Sequence, residues 1–447
     1  MPLPRASGPD AEILRLAVPA LGALVAEPLF LLVDSAVVGR LGTSALAGQG
    51  VAAAVLGTLV GLCVFLAYGT TGTVARRLGA GDLRAALSLG LDGVWLSLLL
   101  GGVLAVVVGV LAPSFVGWFG SSLGDDAAHQ AVIYLRASAA GLPGMLAVLA
   151  ATGVLRGLQD TRTPLAVAVA GAGLNAVLNV VLVLGVGGWE GMGIAGSGLG
   201  TALTQTLMAA ALGAVVVRAA RAQGVGLVPA PRGVLGSLVV GVPLLVRTLA
   251  LRATFLVTTW VAARDGDAVV AGHQVATNVW MTLALTLDAI AIAGQAITGR
   301  ALGAGDVAAL RAAVARMVRW GLVVGVVLGL GLAALHAVIG RLFTSDPVLV
   351  RTIGAALLVA AVTQPLCGYV FVLDGVLIGA GDGRYLAGAA LAQLVLYAPA
   401  LVWAGAAGGS APAQLAWLWV ALTGWFMLTR AVALGLRARG TGWLRTG

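Results

Sequence analysis

The chain has 447 residues, 60% of them hydrophobic and only 10% charged. No soluble core of this length needs so much apolar surface, so a soluble globular protein is excluded and a series of apolar spans of about twenty residues each is expected. The formal net charge is +9, all basic residues are Arg and there is no Lys, which excludes a P-loop and a Schiff-base enzyme.

Residues 1–12 are polar and are expected on a cytoplasmic surface. The first span contains A-E-P-L-F-L-L-V-D-S-A-V-V-G-R-L-G, from Ala26 to Gly42. It is long enough for a bilayer yet carries Glu27, Pro28 and Asp34. Seven residues separate the two acids, so on a helix they share one face, two turns apart. A carboxylate at the centre of a lone membrane helix costs roughly 2.5–3.5 kcal/mol, so such groups face a cavity or partner and mark an ion or substrate path.

Helices are predicted at roughly 13–38, 46–75, 88–112, 128–154, 164–187 and 193–220. A linker with Pro229 and Pro231 as breakers follows, and then a second set at roughly 233–262, 270–298, 312–340, 352–378, 386–408 and 413–437. The domains are therefore 1–222, the linker 223–232, and 233–447. Arg residues cluster after every second helix: Arg76, Arg77 and Arg84; Arg156 and Arg162; Arg218, Arg221 and Arg232; Arg300, Arg311, Arg316 and Arg319; Arg384; Arg437, Arg439 and Arg445. The alternate loops hold only Arg40, Arg264 and Arg341, with Arg351 near a helix start. The positive-inside rule then gives an even helix count with both termini cytoplasmic, and the Arg residues read as topology signals, not as a nucleic-acid surface. No cleavable signal peptide is expected, because the first apolar run carries two acids and continues as an integral helix.

The halves repeat. Pro19, Gly48 and Gly79 recur as Pro243, Gly272 and Gly303, each 224 residues later, within matching V-P, A-G and L-G-A-G-D motifs. Gly153 and Pro143 recur 222 residues later as Gly375 and Pro365. Six helices per half give both halves one topology, with a pseudo-twofold axis along the membrane normal and a central cleft. The fold class is thus an all-α integral membrane protein of twelve helices in two six-helix bundles.

These motifs resemble the multidrug and toxic compound extrusion (MATE) transporters, and more closely their DinF-like branch. The carriers are E-P-L-F-L-L-V-D-S-A-V-V-G-R-L-G, R-R-L-G-A-G-D, G-V-L-R-G-L-Q-D-T-R-T-P, L-D-A-I-A-I-A-G-Q-A-I-T-G-R-A-L-G-A-G-D and F-V-L-D-G-V-L-I-G-A-G-D. The resemblance covers essentially the whole chain. It implies two six-helix lobes in a V and export of bulky, often cationic compounds driven by H⁺ or Na⁺. It also implies a cation or proton site at Asp34, Asn175, Asn179 and Thr201. Some relatives carry Asp where this chain has Asn179, a departure that favours H⁺ over Na⁺ here.

Each residue has a plainer reading. Asp34 could be a helix-end carboxylate reaching the interface; against that, its repeat position holds Thr258, so the acid is no shared architectural part. Held away from water, such an acid can take up and release a proton. Glu27 joins Asp34, meets a cationic substrate, or makes a structural hydrogen bond beside a bend at Pro28. Asn175 and Asn179 share a helix face and could serve only interhelical packing.

Asp288 and Asp374, whose repeat positions are Val64 and Thr152, have Arg247 and Arg252 as natural partners. They form either a bracing ion-pair network or a substrate or second ion site. The two Arg residues project about 140° apart on a helix, so one faces the cleft and one a neighbour. Tyr134, Tyr369, Met145 and Met281 read first as lipid or core contacts and only second as pocket lining.

Cys63 and Cys367 suggest neither a disulfide nor a metal site, and His129, His273 and His336 lack ligand spacing. No metal and no cofactor are expected beyond H⁺, or Na⁺, as the coupling ion. The function expected is an antiporter in a bacterial inner membrane, working as a monomer on a small-molecule substrate, with the lipid bilayer and no nucleic acid as partner. The alternatives are a flippase of lipid-linked precursors and a non-transporting scaffold or receptor. An enzyme is not expected, since no nucleophile–base set appears.

Overall fold

A computed structural model describes residues 8–118 and 123–444; the polar residues 1–7 and Arg445 lie outside the described residues. Among the described residues the chain is all-helical, without β-strands. The helices are α1 Pro9–Val38, α2 Thr43–Leu62, α3 Phe65–Gly79, α4 Leu83–Gly117, α5 Asp125–Ala139, α6 Leu142–Gly157, α7 Arg162–Asn179 and α8 Ile194–Ala222. They continue as α9 Pro231–Arg264, α10 Asp267–Gly303, α11 Val307–Phe343, α12 Pro347–Gly379, α13 Gly383–Ala406, α14 Ala411–Trp419 and α15 Met427–Arg439. Among the described residues eleven spans are long and apolar enough to cross a membrane, and the bent pair α5 and α6, taken as one span, makes a twelfth. Leu32, Val106, Leu330 and Val362 are among the exposed apolar side chains, as lipid-facing helices require.

The predicted fourth helix is corrected. The single helix expected at 128–154 is two helices meeting at 54°, with Pro143 in the first turn of α6. Proline is accepted there because that amide has no helical partner. In the second half α12 runs unbroken through Pro365. Both prolines still mark a repeated close approach. A Cβ on Gly101 would lie 2.5 Å from the Pro143 Cα, and one on Gly325 would lie 2.7 Å from the Pro365 Cα. Small residues let these backbones touch, as is usual in membrane bundles. α1 continues through Pro28 without interruption.

The repeated L-G-A-G-D motif proves to be a turn between helices. Gly81 and Gly305 take the left-handed backbone that ends a helix, at φ 78° and 72°. Asp82 and Asp306 then accept from the amides of Ala85 and Ala309, both at 2.8 Å, and cap the next helix. The same turn after α6 uses Gln159 at φ 67°, the one non-glycine with positive φ among the described residues.

The chain divides into two compact units, Gly22–Gly241 and Met1–Leu21 with Val242–Gly447. These borders differ from the linker read at 223–232. The start of α1 belongs with the second-half helices, where Asp10 pairs with Arg316 at 2.8 Å and Glu12 with Arg300. Residues 9–12 are therefore the first turn of α1 and no free polar tail. The start of α9 belongs with the first-half helices: Asp92 accepts from the Ala230 amide at 3.3 Å, and Trp95 Nε1 donates to the Leu227 carbonyl at 3.0 Å.

Candidate functional site

Within the first unit, five helices bring polar side chains to one point. Asp34 of α1 is 0% exposed. Its Oδ2 accepts from Gln49 Nε2 of α2 at 2.6 Å and from the Tyr134 hydroxyl of α5 at 3.1 Å. Its Oδ1 accepts from Asn179 Nδ2 of α7 at 2.7 Å and from the Ser197 hydroxyl of α8. The amide of Asn179 also donates to Asn175 Oδ1 at 2.9 Å, one turn back on the same helix. All six residues are buried.

Four donors, two to each oxygen, match the ionised acid, which can only accept. None of the four carries a charge. A buried carboxylate without a cationic neighbour is costly even when hydrogen-bonded. Gln49 Oε1 and Asn179 Oδ1 are buried acceptors without a partner among the described residues. Both sit on amides whose nitrogens donate to Asp34, so the cluster carries two spare oxygen acceptors beside its one acid. Ser197 and Tyr134 are hydroxyls that can rotate from donor to acceptor, so the cluster can also accommodate a protonated Asp34.

Asp34, Asn179 and Asn175 are thus brought together. Thr201 is buried one turn beyond Ser197 on α8 and makes no hydrogen bond to Asp34. Glu27 is exposed and bonds neither Asp34 nor its partners. Gln49, Tyr134 and Ser197 complete the cluster, and nothing in the sequence singles them out for it. Gln49 lies in the repeated A-G motif, which signals duplication but not chemistry.

The second unit holds a buried ion cluster. Arg247 Nε of α9 donates to Asp374 Oδ1 of α12 at 3.1 Å, and its Nη2 contacts Oδ2. Arg430 Nη2 of α15 lies 3.3 Å from the same Oδ2. Arg430 escapes sequence reasoning because it precedes the terminal loop arginines Arg437 and Arg439. Asp288 is half-buried on α10, and on α9 Arg247 is buried while Arg252 is exposed.

The repeat position of Asp34, Thr258, is buried and hydrogen-bonded to the Tyr397 hydroxyl at 2.6 Å. Tyr397 stands at the repeat position of Asn175, and His273 at that of Gln49. Trp419 packs its ring 6.1 Å from His273, at the 222-residue counterpart of Ser197. The second unit fills with neutral rings the place where the first keeps its acid. Among the described residues no group of His, Cys, Asp and Glu could hold a metal ion.

The MatE family model matches the chain twice, at residues 19–181 and 243–403. The two matches start 224 and end 222 residues apart, the offsets of the sequence repeat. DETOXIFICATION 44 of Arabidopsis thaliana, described as chloroplastic, is 32% identical over 404 residues, 84% of this chain and 73% of its own. The DNA damage-inducible protein F of Escherichia coli is 30% identical over 305 residues, 66% of this chain and 64% of its own. Among solved structures, a mutant of the Vibrio cholerae MATE transporter VcmN superposes with a TM-score of 0.86 at 19% identity, covering 98% and 99% of the two chains. A bacterial inner membrane, expected from the sequence, is overturned by the relatives: four are Arabidopsis DETOXIFICATION proteins, two of them chloroplastic. What stands is a multi-pass membrane protein, and the members of its family are transporters, not enzymes. With both halves matched and the twelve-span helical fold in place, the chain belongs to the MATE family of multidrug and toxic compound extrusion transporters.

Proposed function

We propose that the chain is a secondary antiporter that expels organic, cationic or amphipathic compounds in exchange for H⁺, with Asp34 as the proton carrier. The observation that supports this most is the fully buried Asp34 carboxylate, held by four neutral donors with no positive side chain bonded to it. Its charge calls for a cation from outside the fold. A proton meets that need with the least room, and Asn179, a neutral amide, leaves the site one charge short of a strong Na⁺ site.

In the cycle, protonation neutralises Asp34, one of the four contacts reverses direction, and α1 repacks against α2, α5, α7 and α8. Affinity for cargo falls, and the proton leaves on the other side. One proton moving down 100 mV supplies about 2.3 kcal/mol, and each pH unit adds about 1.4 kcal/mol. For an uncharged cargo those terms together sustain a gradient of roughly several hundredfold; for a monovalent cation exchanged one for one the potential cancels and the pH term alone sustains about tenfold per unit. One chain contains the whole site, so the monomer is the working unit.

The test is flux of ethidium, an organic cation, in vesicles with separately imposed pH and Na⁺ gradients, for wild type beside Asp34→Asn. A pH-driven flux lost in Asp34→Asn supports the reading. Equal flux in both chains, or flux driven by Na⁺ alone, overturns it. A second reading, export of anionic lipid-linked precursors, is favoured by one observation: two buried guanidiniums, Arg247 and Arg430, on the single carboxylate of Asp374. Competition between a lipid pyrophosphate and ethidium separates the two.

A further inference from the structure

A cavity of about 280 Å³ opens in the first unit, lined by Leu41, Ser44, Ala45, Asp126, Gln130, Gly193 and Ile194. At about 30 Å³ per molecule it has room for roughly nine waters. Its lining is in register with the Asp34 cluster. Ala45 stands four residues before Gln49 on α2, Gln130 four before Tyr134 on α5, and Gly193 four before Ser197 at the start of α8. Leu41 stands seven after Asp34. Residues four apart lie on one helix face, one turn or about 5.4 Å along the axis. The cavity therefore sits directly above the carboxylate, on the same face of three helices, at the arginine-poor end of the unit.

We propose that this cavity is the water path through which Asp34 exchanges protons with that side of the membrane. The inference rests on Asp34 being the coupling acid. A hydronium in the cavity gives its proton to the carboxylate and leaves as water; the reverse step returns the proton to a cavity water. Gln49 Oε1, buried and without a partner among the described residues, is the acceptor one turn below the floor that can hold the bridging water. The floor is the buried pair Ala45 and Ile194, with Gly48 pressed on α5: a Cβ there would lie 2.7 Å from the Ala127 carbonyl oxygen and 2.8 Å from the Ala131 amide nitrogen. Ala45 and Gly48 make the α2 side of this floor thin, so a rotation of the Ile194 side chain on α8 admits water.

Asp34 is faced by one titratable group, Tyr134 of α5, and by neutral side chains from α2, α7 and α8. Around the mouth, the titratable groups on the lining segments are Arg40, Asp125, Asp126, His129 and Glu190, a net negative set. Asp126, which lines the cavity and is exposed, concentrates protons at the entrance.

The test reads the proton on Asp34 directly, without a cargo. The purified chain in vesicles is given a pH jump, and the infrared carboxyl band that Asp34→Asn removes is followed in time. In Ser44→Cys, labelling with the neutral reagent N-ethylmaleimide should slow that band by about tenfold or more relative to the unlabelled variant. Labelled wild type, whose Cys63 and Cys367 are buried, serves as control. Asp126→Asn should slow the band by about threefold at low salt, with the difference vanishing at high salt. An unchanged rate after complete labelling of Ser44→Cys overturns the path while leaving Asp34 as the coupling acid. A wild-type spectrum with no band that Asp34→Asn removes overturns the coupling reading itself.

Discussion

Asp34 and Thr258 occupy the same place in the two halves of the chain, both are wholly buried, and only Asp34 carries a charge. Asp34 has four donors around it, whereas Thr258 has the Tyr397 hydroxyl and its own helix. The duplicated fold has been specialised on one side only.

Asp34→Asn is expected to fold and to lose pH-driven transport. The amide has the shape of the acid and can still accept from Gln49 or Asn179. Melting temperature and vesicle flux measured on one preparation check this. The converse change, Thr258→Asp, adds a buried charge without its four donors and should destabilise the chain by roughly 3 kcal/mol or more.

Ser197→Ala removes one donor from the buried carboxylate. Hydrogen bonds to charged groups contribute about 1.5–3 kcal/mol, so a loss of that size is expected above the pH at which Asp34 ionises. Gln49→Leu removes a donor from the other oxygen and should cost a similar amount. Since both act on one carboxylate, the double variant is expected to depart from additivity. Thermal unfolding at high and low pH measures all three.

Asp374→Asn takes the shared carboxylate from Arg247 and Arg430. Breaking a buried ion cluster in this way costs about 3–5 kcal/mol. Asp374→Leu combined with Arg430→Met should recover part of that loss, because fewer buried charges then stand without their counter-ion. Unfolding in detergent compares the single and double variants.

Adjacent glycines give the sharpest packing test. Gly101→Ala would set its methyl 2.5 Å from the Pro143 Cα, forcing α4 from α6 at a cost of about 1–3 kcal/mol. Gly102→Ala meets nothing within 4 Å and should stabilise α4 by about 0.5–1 kcal/mol. Melting temperatures should therefore move in opposite directions.

The helices and the duplication are legible because hydropathy and repeated turn motifs are local signals. The break between α5 and α6 is not, since Pro143 and Pro365 look alike in sequence and only packing separates a helix start from an uninterrupted helix. At the candidate site, Asp34 and the Asn175–Asn179 pair stand out as polar groups in apolar runs. Gln49, Tyr134 and Ser197 do not, because they lie 15, 100 and 163 residues from Asp34 and are ordinary polar residues in their own helices. Arg430 is hidden by its nearness to terminal arginines. Thr201 reaches the cluster through the Tyr134 hydroxyl, while Ser197, one turn before it on α8, makes the direct contact with Asp34.

The borders of the two compact units have a consequence for how the duplicated gene product can be cut. Each sequence half begins with a helical segment that belongs to the other unit: Pro9–Leu21 in one case, Pro231–Gly241 in the other. Halves severed at Gly224–Ala230 and expressed alone would each lack a strip of their own bundle and carry an orphan strip of the other's. The unit that repeats in the sequence and the unit that is compact in space are therefore different pieces of the chain.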